Sequence, residues 1–439
     1  MVSASLAVWM NGERVGRWSV VRGVHAFRYA ESWLRSERVR SLSLSLPITP
    51  SLEIRGTVVE SYFDNLLPDN DRIRERISRR FATRGTDPYS LLEAIGRDCV
   101  GAVQLLPEGA VPEGWDSLAY EPVSEERIAE LLAEMPTVGD NHDDDAFFRI
   151  SLAGAQEKTA LLKVGDGWGR PLGATPTTHI LKLPLGIVGG TRQVDLADSV
   201  QNEWLCAQIV GELGLPVAST EIAQFGDQRV LVVERFDRQW MDDGRWIARL
   251  PQEDFCQALG YPPRQKYEAD NGPGIARCLG LLGGSDDALT DRLTFQLAQL
   301  SYWLLAAIDG HAKNYSIFLE QGDRYGMTPL YDIISLWPYL GEGPHHARWH
   351  KAKLAMALRS KNAHYLLHTI QARHWHALAM RNGGVAVWEA MLGLIDRAEP
   401  ALQAVEGRLP SDFPGATWEA IASGIRSQVH VFRKGLEEA

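Results

Sequence analysis

Three side chains in the second half of the chain have the types and spacing needed to transfer a phosphoryl group. Residues 309–314 read Asp-Gly-His-Ala-Lys-Asn, which places Asp309 five positions before Asn314. In a kinase catalytic loop this D-x-x-x-x-N spacing supplies an aspartate that orients the attacking hydroxyl and an asparagine that holds Mg2+. Asp332 follows a short hairpin-like stretch, where the second metal-binding aspartate of such an enzyme falls. The spacing therefore indicates phosphoryl transfer.

Taken alone, residues 309–314 are also compatible with a polar turn after a buried helix, because Asp and Gly commonly end helices. We predict an apolar helix over about 291–308. A negative charge at the carboxyl end of a helix is unfavourable beside the helix dipole. Asp309 in that position therefore indicates a role other than stability.

A lysine and a glutamate earlier in the chain match two further parts of a kinase site. Alternation places Leu181 and Leu183 on one face of a predicted strand and Lys182 on the other, like the strand lysine that contacts nucleotide phosphates. Glu203 falls on the apolar face of a predicted helix over 199–213, where an unpaired carboxylate would be costly. We predict a Lys182–Glu203 ion pair. The alternatives are an exposed edge-strand lysine and a glutamate whose carboxylate reaches solvent.

Residues 151–159, Ser-Leu-Ala-Gly-Ala-Gln-Glu-Lys-Thr, form a loop of mostly small residues. Such a loop brings backbone N–H groups close to phosphate oxygens. Although it ends in Lys-Thr, it lacks the first glycine and the spacing of G-x-x-x-x-G-K-[ST], and no parallel βαβ pattern surrounds it. The sequence therefore argues against a P-loop nucleotidase.

The composition is that of a globular protein. A chain of 439 residues that is 45% hydrophobic and 23% charged is neither disordered nor fibrous. Its net charge of -11 argues against unaided binding to a nucleic-acid backbone as the main activity. Four cysteines without a C-x-x-C pair favour reduced thiols over zinc fingers. Without the pattern of a signal peptide or a transmembrane helix, we expect a cytoplasmic protein that does not bind a membrane.

The elements that must hold these residues change from strands to helices along the chain. A hairpin that turns at Asn11-Gly12 begins it. Alternation and apolar runs predict strands over 41–46, 159–164, 179–183 and 229–236. Helical spacing predicts helices over 58–67, 73–81, 125–134, 199–213 and 291–308. A β-rich part followed by a helical part suits a nucleotide held between two bodies.

Histidines concentrate late in the chain, where seven of the twelve lie within 345–376. His364 and His368 are spaced i,i+4 on a predicted helix, but no H-E-x-x-H pattern accompanies them, so solvated histidines are favoured over a metal site. With the basic residues of 348–353 they form a candidate surface for an anionic partner. The acidic run over 140–145 is predicted to be a solvated loop.

Taken together, the motifs resemble those of the HipA family, bacterial serine/threonine kinases that act as the toxin of a toxin–antitoxin pair. The resemblance covers nearly the whole chain and includes the segments 8–11, 42–47, 63–69, 96–98, 100–103, 153–159, 233–238, 250–254, 309–314 and 331–335.

This resemblance implies an α+β protein with a bilobal protein-kinase-like fold, a β-rich N-terminal part and a mainly helical C-terminal lobe. It implies an N-terminal subdomain over 1–107, a kinase N-lobe over 108–238 and a helical C-lobe over 239–439.

The resemblance also assigns roles to single residues. Asp309 would be the catalytic base, Asn314 and Asp332 would bind Mg2+, and Lys182 would bind the phosphates of ATP. Further nucleotide contacts would come from Ala153, Gly154, Ala155, Gln156, Lys158, Glu234, Phe236, Gln252, His311 and Lys313. Autophosphorylation of Ser151 would eject its loop and switch the kinase off.

The partners that the resemblance implies are a HipB-type helix-turn-helix antitoxin and, through it, operator DNA. The implied target is a translation protein, notably glutamyl-tRNA synthetase, whose phosphorylation would arrest growth and produce persistence. Two alternatives stay open. One is a small-molecule kinase of the aminoglycoside or choline type, and the other is a catalytically silent kinase fold that serves as a corepressor.

Overall fold

The computed structural model describes residues 4–135, 150–152, 154, 156–188 and 193–437. The helices are α1 (Glu31–Leu34), α2 (Thr57–Asp64), α3 (Asp71–Arg80), α4 (Pro88–Ile95), α5 (Glu125–Glu134), α6 (Ser199–Glu212), α7 (Phe255–Leu259), α8 (Ile275–Leu282), α9 (Ala288–Leu305), α10 (Ala372–Asn382), α11 (Val385–Glu406) and α12 (Gly415–Glu437). The strands are β1 (Ala4–Met10), β2 (Glu13–Val21), β3 (Val24–Tyr29), β4 (Glu53–Arg55), β5 (Asp98–Cys99), β6 (Gln104–Pro107), β7 (Tyr120–Val123), β8 (Ile150–Ser151), β9 (Lys158–Val164), β10 (Gly167–Pro171), β11 (His179–Lys182), β12 (Gly186–Val188), β13 (Val194–Leu196), β14 (Thr220–Phe225), β15 (Gln228–Glu234), β16 (Arg238–Met241), β17 (Trp246–Arg249), β18 (Gln252–Asp254), β19 (Ser316–Leu319), β20 (Tyr325–Met327), β21 (Lys353–Arg359) and β22 (Ala363–Leu366).

These elements fall into two compact units. The first unit consists of Met1–Leu183, Ala223–Gln265 and Ser316–Tyr325, and the second of Pro184–Ile222, Lys266–Tyr315 and Gly326–Ala439. The larger sheets belong to the first unit and the long helices to the second. The predicted α+β class is confirmed. The predicted domain limits at residues 107 and 238 remain predictions.

The first unit begins with a five-stranded antiparallel sheet of order β4-β3-β2-β1-β6. The predicted hairpin at Asn11-Gly12 is confirmed as the β1–β2 turn. Helix α2 covers the sheet, and Phe63 of α2 stacks on Trp18 of β2 with ring centroids 4.0 Å apart. Both rings are fully buried, so aromatic packing forms the centre of this core.

The predicted strand over 41–46 is wrong, because side chains rather than a neighbouring strand bind its backbone. The Ser45 N–H donates to Ser43 Oγ at 3.0 Å. The Leu44 N–H donates to Glu253 Oε1 at 2.9 Å. Serine hydroxyls and carboxylates close to the backbone compete with a β ladder for its N–H groups, which hydrophobic alternation alone does not reveal.

A six-stranded sheet of order β14-β15-β11-β9-β10-β7 follows in the chain. Its core includes Leu181 and Leu183 together with Ile128 of α5. Helix α5 has the predicted bounds, 125–134, and begins at Ser124, whose side chain accepts the Arg127 N–H. Because successive side chains of a strand alternate, Lys182 lies on the face opposite Leu181, as predicted.

The second unit is built around α9, which is buried along most of its length. Trp303 of α9 packs against Trp375 of α10 and Phe432 of α12, with centroid distances of 6.0 and 6.4 Å. The Trp303 indole N–H donates to the Leu367 carbonyl oxygen at 3.1 Å, so this large ring is buried with its polar atom satisfied. Within the described part of the chain, no helix combines the length and hydropathy that a bilayer span requires.

Candidate active site

The predicted catalytic loop lies in the second unit, directly after α9. The helix ends at Leu305, three residues before the predicted limit, because Ala306 adopts a left-handed backbone with φ 49°. Ser335 Oγ donates to the Leu305 carbonyl oxygen at 2.6 Å and satisfies this end. Asp309 is therefore beyond the helix, and the predicted conflict of its charge with the helix dipole is wrong.

Asp309 is exposed on a loop that is otherwise buried. Its side chain is 54% exposed, whereas that of His311 is 4% exposed. The Asp309 carbonyl oxygen accepts hydrogen bonds from the His311 N–H at 2.7 Å and from Asn314 Nδ2 at 2.8 Å. The predicted pair Asp309 and Asn314 is thus brought together in one turn. Its backbone is fixed while the Asp309 carboxylate reaches solvent.

Position 310 needs a glycine because the Tyr302 ring lies against its backbone. A Cβ atom at this position would lie 2.4 Å from the Tyr302 ring, closer than any real Cβ contact. Tyr302 is buried on α9, and burial raises its phenol pKa well above the usual value, with the charge of Asp332 adding to the effect. The glycine that looks like an ordinary turn residue in the sequence therefore lets the loop lie flat on α9.

Asp332 is held beside this loop by its neighbour. The Tyr331 hydroxyl donates to the Lys313 carbonyl oxygen at 2.9 Å, which joins the 331–332 segment to the residue before Asn314. Asp332 has φ 59°, a left-handed conformation that is uncommon outside glycine and clusters at functional sites. The sequence shows no signal for this strained backbone.

The donor set of Asn314 and Asp332, an amide oxygen and a carboxylate, suits Mg2+. This ion takes oxygen ligands and is usually bound by one or two carboxylates together with substrate phosphates. Among the described residues no cluster of three or more His, Cys, Asp or Glu side chains forms a metal cage. The residues present therefore fit a magnesium ion that is shared with a nucleotide.

Tyr267 is a residue of this site that the sequence interpretation missed. Its hydroxyl donates to Asp309 Oδ1. Its ring meets the His311 ring edge-on, with centroids 4.9 Å apart. Forty-two positions separate Tyr267 from Asp309, so no local spacing connects them.

The predicted nucleotide residues Lys182 and Lys158 lie in the first unit on adjacent strands. They are directly opposite each other in the β9–β11 pairing, so both side chains stand on one face of the sheet. Two adjacent lysines thus form a candidate phosphate-binding face.

The loop before β9 is tied to both sides of the first unit. Gln156 Nε2 donates to the Leu183 carbonyl oxygen at 2.5 Å, so its amide anchors the loop at the end of β11. The Asp69 N–H donates to the Gly154 carbonyl oxygen at 3.0 Å. Gly154 has φ 108°, a backbone conformation that L side chains rarely adopt. Ala153 and Ala155 lie outside the described residues.

Ser151, the predicted phosphorylation site, is fully buried in this unit. Its Oγ donates to the Leu66 carbonyl oxygen at 2.7 Å. Strand β8, which carries Ser151, pairs in parallel with β5, so that Ser151 faces Cys99. The Ser151 hydroxyl is therefore inaccessible to a phosphoryl donor in this conformation.

The residues predicted to meet adenine also lie in the first unit. Glu234 is exposed at the end of β15, and Phe236 follows two positions later. Phe236 meets Phe318 edge-on with centroids 5.8 Å apart, and Phe318 faces Gln252 in the β18–β19 pairing. Phe236 and Gln252 are thus brought together through Phe318, which the sequence interpretation did not single out.

A buried cluster of three arginines and two aspartates, termed the ion cluster, includes the residues on both sides of Phe236. It comprises Arg235, Arg238, Arg249, Asp98 and Asp237. Asp98 accepts from Arg238 at 2.9 Å and from Arg249 at 3.2 Å. Arg235 donates twice to Asp237, at 3.0 and 2.8 Å. Burial disfavours the charged form of Asp98, but the three arginines outweigh it and hold the Asp98 pKa well below its usual value.

The ion cluster also holds the strand on which Ser151 lies. The Cys99 carbonyl oxygen accepts from Arg235 Nη2 at 2.8 Å and from Arg238 Nη2 at 3.0 Å. Because Cys99 of β5 faces Ser151 of β8, the cluster fixes the seat of the predicted regulatory loop. Apart from the Arg-Phe-Asp-Arg run over 235–238, the sequence shows no signal for this arrangement.

The predicted Lys182–Glu203 ion pair stays a prediction. Lys182 belongs to the first unit and Glu203 to the second. Each is buried, at 6% and 3% exposure, and Glu203 lies on α6 as predicted.

Three predictions away from the loop have different outcomes. The predicted helix that carries His364 and His368 is wrong, because His364 lies on β22 and His368 on a single 3-10 turn. Within the basic stretch, Arg348 pairs with Glu342. The acidic run over 140–145 lies outside the described residues.

Comparison with family models finds two matches along the chain. A model of the HipA N-terminal domain matches residues 6–106, and a model of the HipA-like C-terminal domain matches residues 150–407. The second match alone covers more than half of the chain and includes every predicted catalytic, metal-binding, nucleotide-binding and phosphorylation residue.

Two relatives and one solved structure show how far the similarity extends. "Putative kinase Y4mE" of Sinorhizobium fredii is 33% identical over 384 residues, which cover 86% of each chain. The serine/threonine-protein kinase toxin HipA of Shewanella oneidensis is 29% identical over 339 residues, 72% of this chain and 70% of that protein. The solved complex of Shewanella oneidensis HipA with HipB and its operator DNA contains a chain that matches with a TM-score of 0.80 at 22% identity, covering 99% of this chain and 98% of that one. This last match shows a shared fold.

Proposed function

Because the chain belongs to the HipA family and two of its relatives are named kinases, we propose that it is a serine/threonine protein kinase that uses ATP and Mg2+. The observation that carries this proposal is the catalytic loop. An exposed Asp309 carboxylate stands on a buried, hydrogen-bonded turn that also holds Asn314, and Tyr331 ties Asp332 to the same turn.

The residues of the second unit would act on the acceptor and the metal. Asp309 would orient the attacking hydroxyl of the acceptor and take its proton, as the bond from that oxygen to the γ-phosphorus forms and the bond to the bridging oxygen breaks to release ADP. Asn314 and Asp332 would hold Mg2+, which would neutralise charge on the phosphates. Because Asn314 Nδ2 donates to the Asp309 carbonyl oxygen, Asn314 Oδ1 is the atom of this amide that would bind the metal. His311 and Lys313 line the same loop.

The residues of the first unit would bind the nucleotide. Lys182 and its cross-strand neighbour Lys158 place two cations on one face for the phosphates. Glu234, Phe236 and Gln252 would meet the adenine. Gly154 brings backbone close to the phosphates, whereas Gln156 acts through its anchor on Leu183.

Ser151 is the residue that we propose as the autophosphorylation switch. In the described conformation its hydroxyl is buried and bound to Leu66, so phosphorylation requires β8 to leave β5. A phosphate that carries about -1.5 to -2 charges cannot return to a buried site whose acceptor is a carbonyl oxygen. Phosphorylation would therefore hold the loop out of its seat and switch the kinase off.

The biological role that we propose is that of a toxin. The Shewanella oneidensis relative is a serine/threonine-protein kinase toxin. This chain shares the fold of a chain in the solved complex of HipA, HipB and operator DNA. By this analogy the partners are a HipB-type antitoxin and, through it, operator DNA, which would make the chain a corepressor as well. The proposed target is a translation protein, with glutamyl-tRNA synthetase first to be tested.

Intact-mass spectrometry of dephosphorylated full-length protein, before and after incubation with Mg2+ and ATP, tests the kinase proposal. We expect a gain of one phosphate at Ser151. Asp309→Asn and Ser151→Ala should each abolish this gain. Asp227→Asn, which changes an exposed aspartate between β14 and β15, is the matched control and should gain the phosphate as the wild type does.

If the protein gains no phosphate, assays with small alcohols and with an antitoxin distinguish the two alternative functions. A protein that binds ATP but phosphorylates only small alcohols would be a small-molecule kinase. A protein that transfers to neither class of acceptor, yet binds a helix-turn-helix antitoxin, would be a silent corepressor.

A further inference from the structure

The hydroxyl of Tyr267 is bound to the carboxylate that the proposed mechanism uses. It donates to Asp309 Oδ1, and its ring packs edge-on against His311 of the same loop. The Asp309 side chain is 54% exposed, and His311 Nε2 lies 3.9 Å from the same Oδ1 atom. A hydrogen bond from a phenol to an ionised carboxylate is charge-assisted and holds one of its oxygens in place.

Tyr267 can restrain Asp309 only because its own backbone is fixed. The Ala312 N–H donates to the Lys266 carbonyl oxygen at 3.2 Å, which joins this segment directly to the catalytic loop. The Tyr267 carbonyl oxygen accepts from the N–H groups of Asp270 and Gly272, at 3.0 and 2.9 Å. The segment 266–272 is therefore a closed turn that carries Tyr267 against the loop.

The next residue anchors that turn to β21. The Glu268 side chain is 8% exposed and accepts the Ala357 N–H at 2.7 Å. Arg359 Nε donates to the other Glu268 oxygen at 3.0 Å. A Cβ atom on Gly274 would lie 2.5 Å from Glu268 Cδ, so the carboxylate is packed as well as hydrogen-bonded. A rigid strand thus supports the position of the Tyr267 ring.

We propose that Tyr267 is a positioning residue that holds the Asp309 carboxylate in the orientation that receives the acceptor hydroxyl. The inference rests on the proposed kinase function. Because the reacting groups must be aligned when phosphoryl transfer occurs, the loss of this restraint lowers the rate of the chemical step and leaves the binding of ATP unchanged.

Single-turnover autophosphorylation of the full-length Tyr267→Phe variant, measured over a range of ATP concentrations with Mg2+, tests this proposal. The variant keeps the ring against His311 and removes only the hydroxyl. We expect the maximal rate to fall by about 10–100-fold and the half-saturating ATP concentration to change by less than about twofold. Tyr120→Phe, which removes a tyrosine hydroxyl from β7, away from the catalytic loop in the chain, is the matched control and should react at the wild-type rate.

Two results overturn the proposal. A wild-type rate in Tyr267→Phe would show that the hydroxyl does not matter. A faster rate would show that the phenol occupies the place of the acceptor and acts as a gate.

A crystal structure of Tyr267→Phe gives a readout that does not depend on activity. The Asp309 carboxylate should leave its wild-type rotamer or occupy several, and an unchanged single rotamer would contradict the restraint. An inactive wild type with this rotamer change would refute the kinase function and keep the positioning role.

Discussion

The ion cluster of the first unit and the catalytic loop of the second both place aspartates next to cationic or polar groups, but they treat the carboxylates in opposite ways. Asp98 and Asp237 are buried, and arginines and backbone N–H groups bind their oxygens. Asp309 stands on a buried scaffold that binds its carbonyl oxygen, while its carboxylate reaches solvent.

This difference distinguishes charged groups that stabilise the fold from a charged group that can take part in a reaction. A buried ion that loses its partner costs several kcal/mol, so a closed network specifies one arrangement of the chain. An exposed carboxylate contributes little to stability and is available to a substrate. The ion cluster is therefore expected to govern folding of the first unit, and the catalytic loop to govern activity.

The largest effect on stability is expected from Asp98→Ala. The variant leaves Arg235, Arg238 and Arg249 buried with one carboxylate fewer, and the free energy of unfolding should fall by about 3–5 kcal/mol in urea unfolding followed by circular dichroism. Asp309→Ala should change it by no more than about 0.5 kcal/mol and abolish activity. Equal losses of stability in the two variants would contradict the comparison.

A pH series should show the same contrast. The pKa values of Asp98 and Asp237 are lowered by the cluster arginines, which overcome burial, so their stabilising effect is complete above the unfolded value of about 4. It is lost as the pH falls below that value toward the folded pKa. Asp98→Asn should therefore reduce the acid-induced loss of unfolding free energy by about 2–3 kcal/mol. A variant that unfolds in acid with the wild-type slope would exclude Asp98 as the titrating group.

An effect of opposite sign is expected at Glu253. Burial raises the pKa of this carboxyl to about 8, although the Leu44 N–H stabilises its charged form. Because the folded pKa is raised, stability is greatest below the unfolded value of about 4.3 and is lost as the pH rises toward 8. Glu253→Gln should be more stable than the wild type at pH 8, by several kcal/mol, and nearly equal at pH 4. A constant difference across this range would show that Glu253 does not titrate in the folded protein.

Sequence patterns predicted the regular elements well where the signal was local. Helix α5 has the predicted limits because Ser124 caps it and its apolar spacing is helical. The prediction was wrong over 41–46, where Glu253, more than two hundred positions away, binds the backbone. It was also wrong at the end of α9, where a left-handed Ala306 ends a helix whose apolar pattern continues.

The sequence by itself determined the family and the set of chemical groups, because spacing within a motif such as 309–314 is a local property. Only the tertiary structure decided which groups meet. Tyr267 reaches Asp309 across 42 positions, and Arg238 reaches Asp98 across 140. Burial of Ser151 likewise depends on β5 and Leu66, which are distant in the chain. Partner choice at such separations follows from packing of whole elements, which a single sequence does not encode in any short pattern.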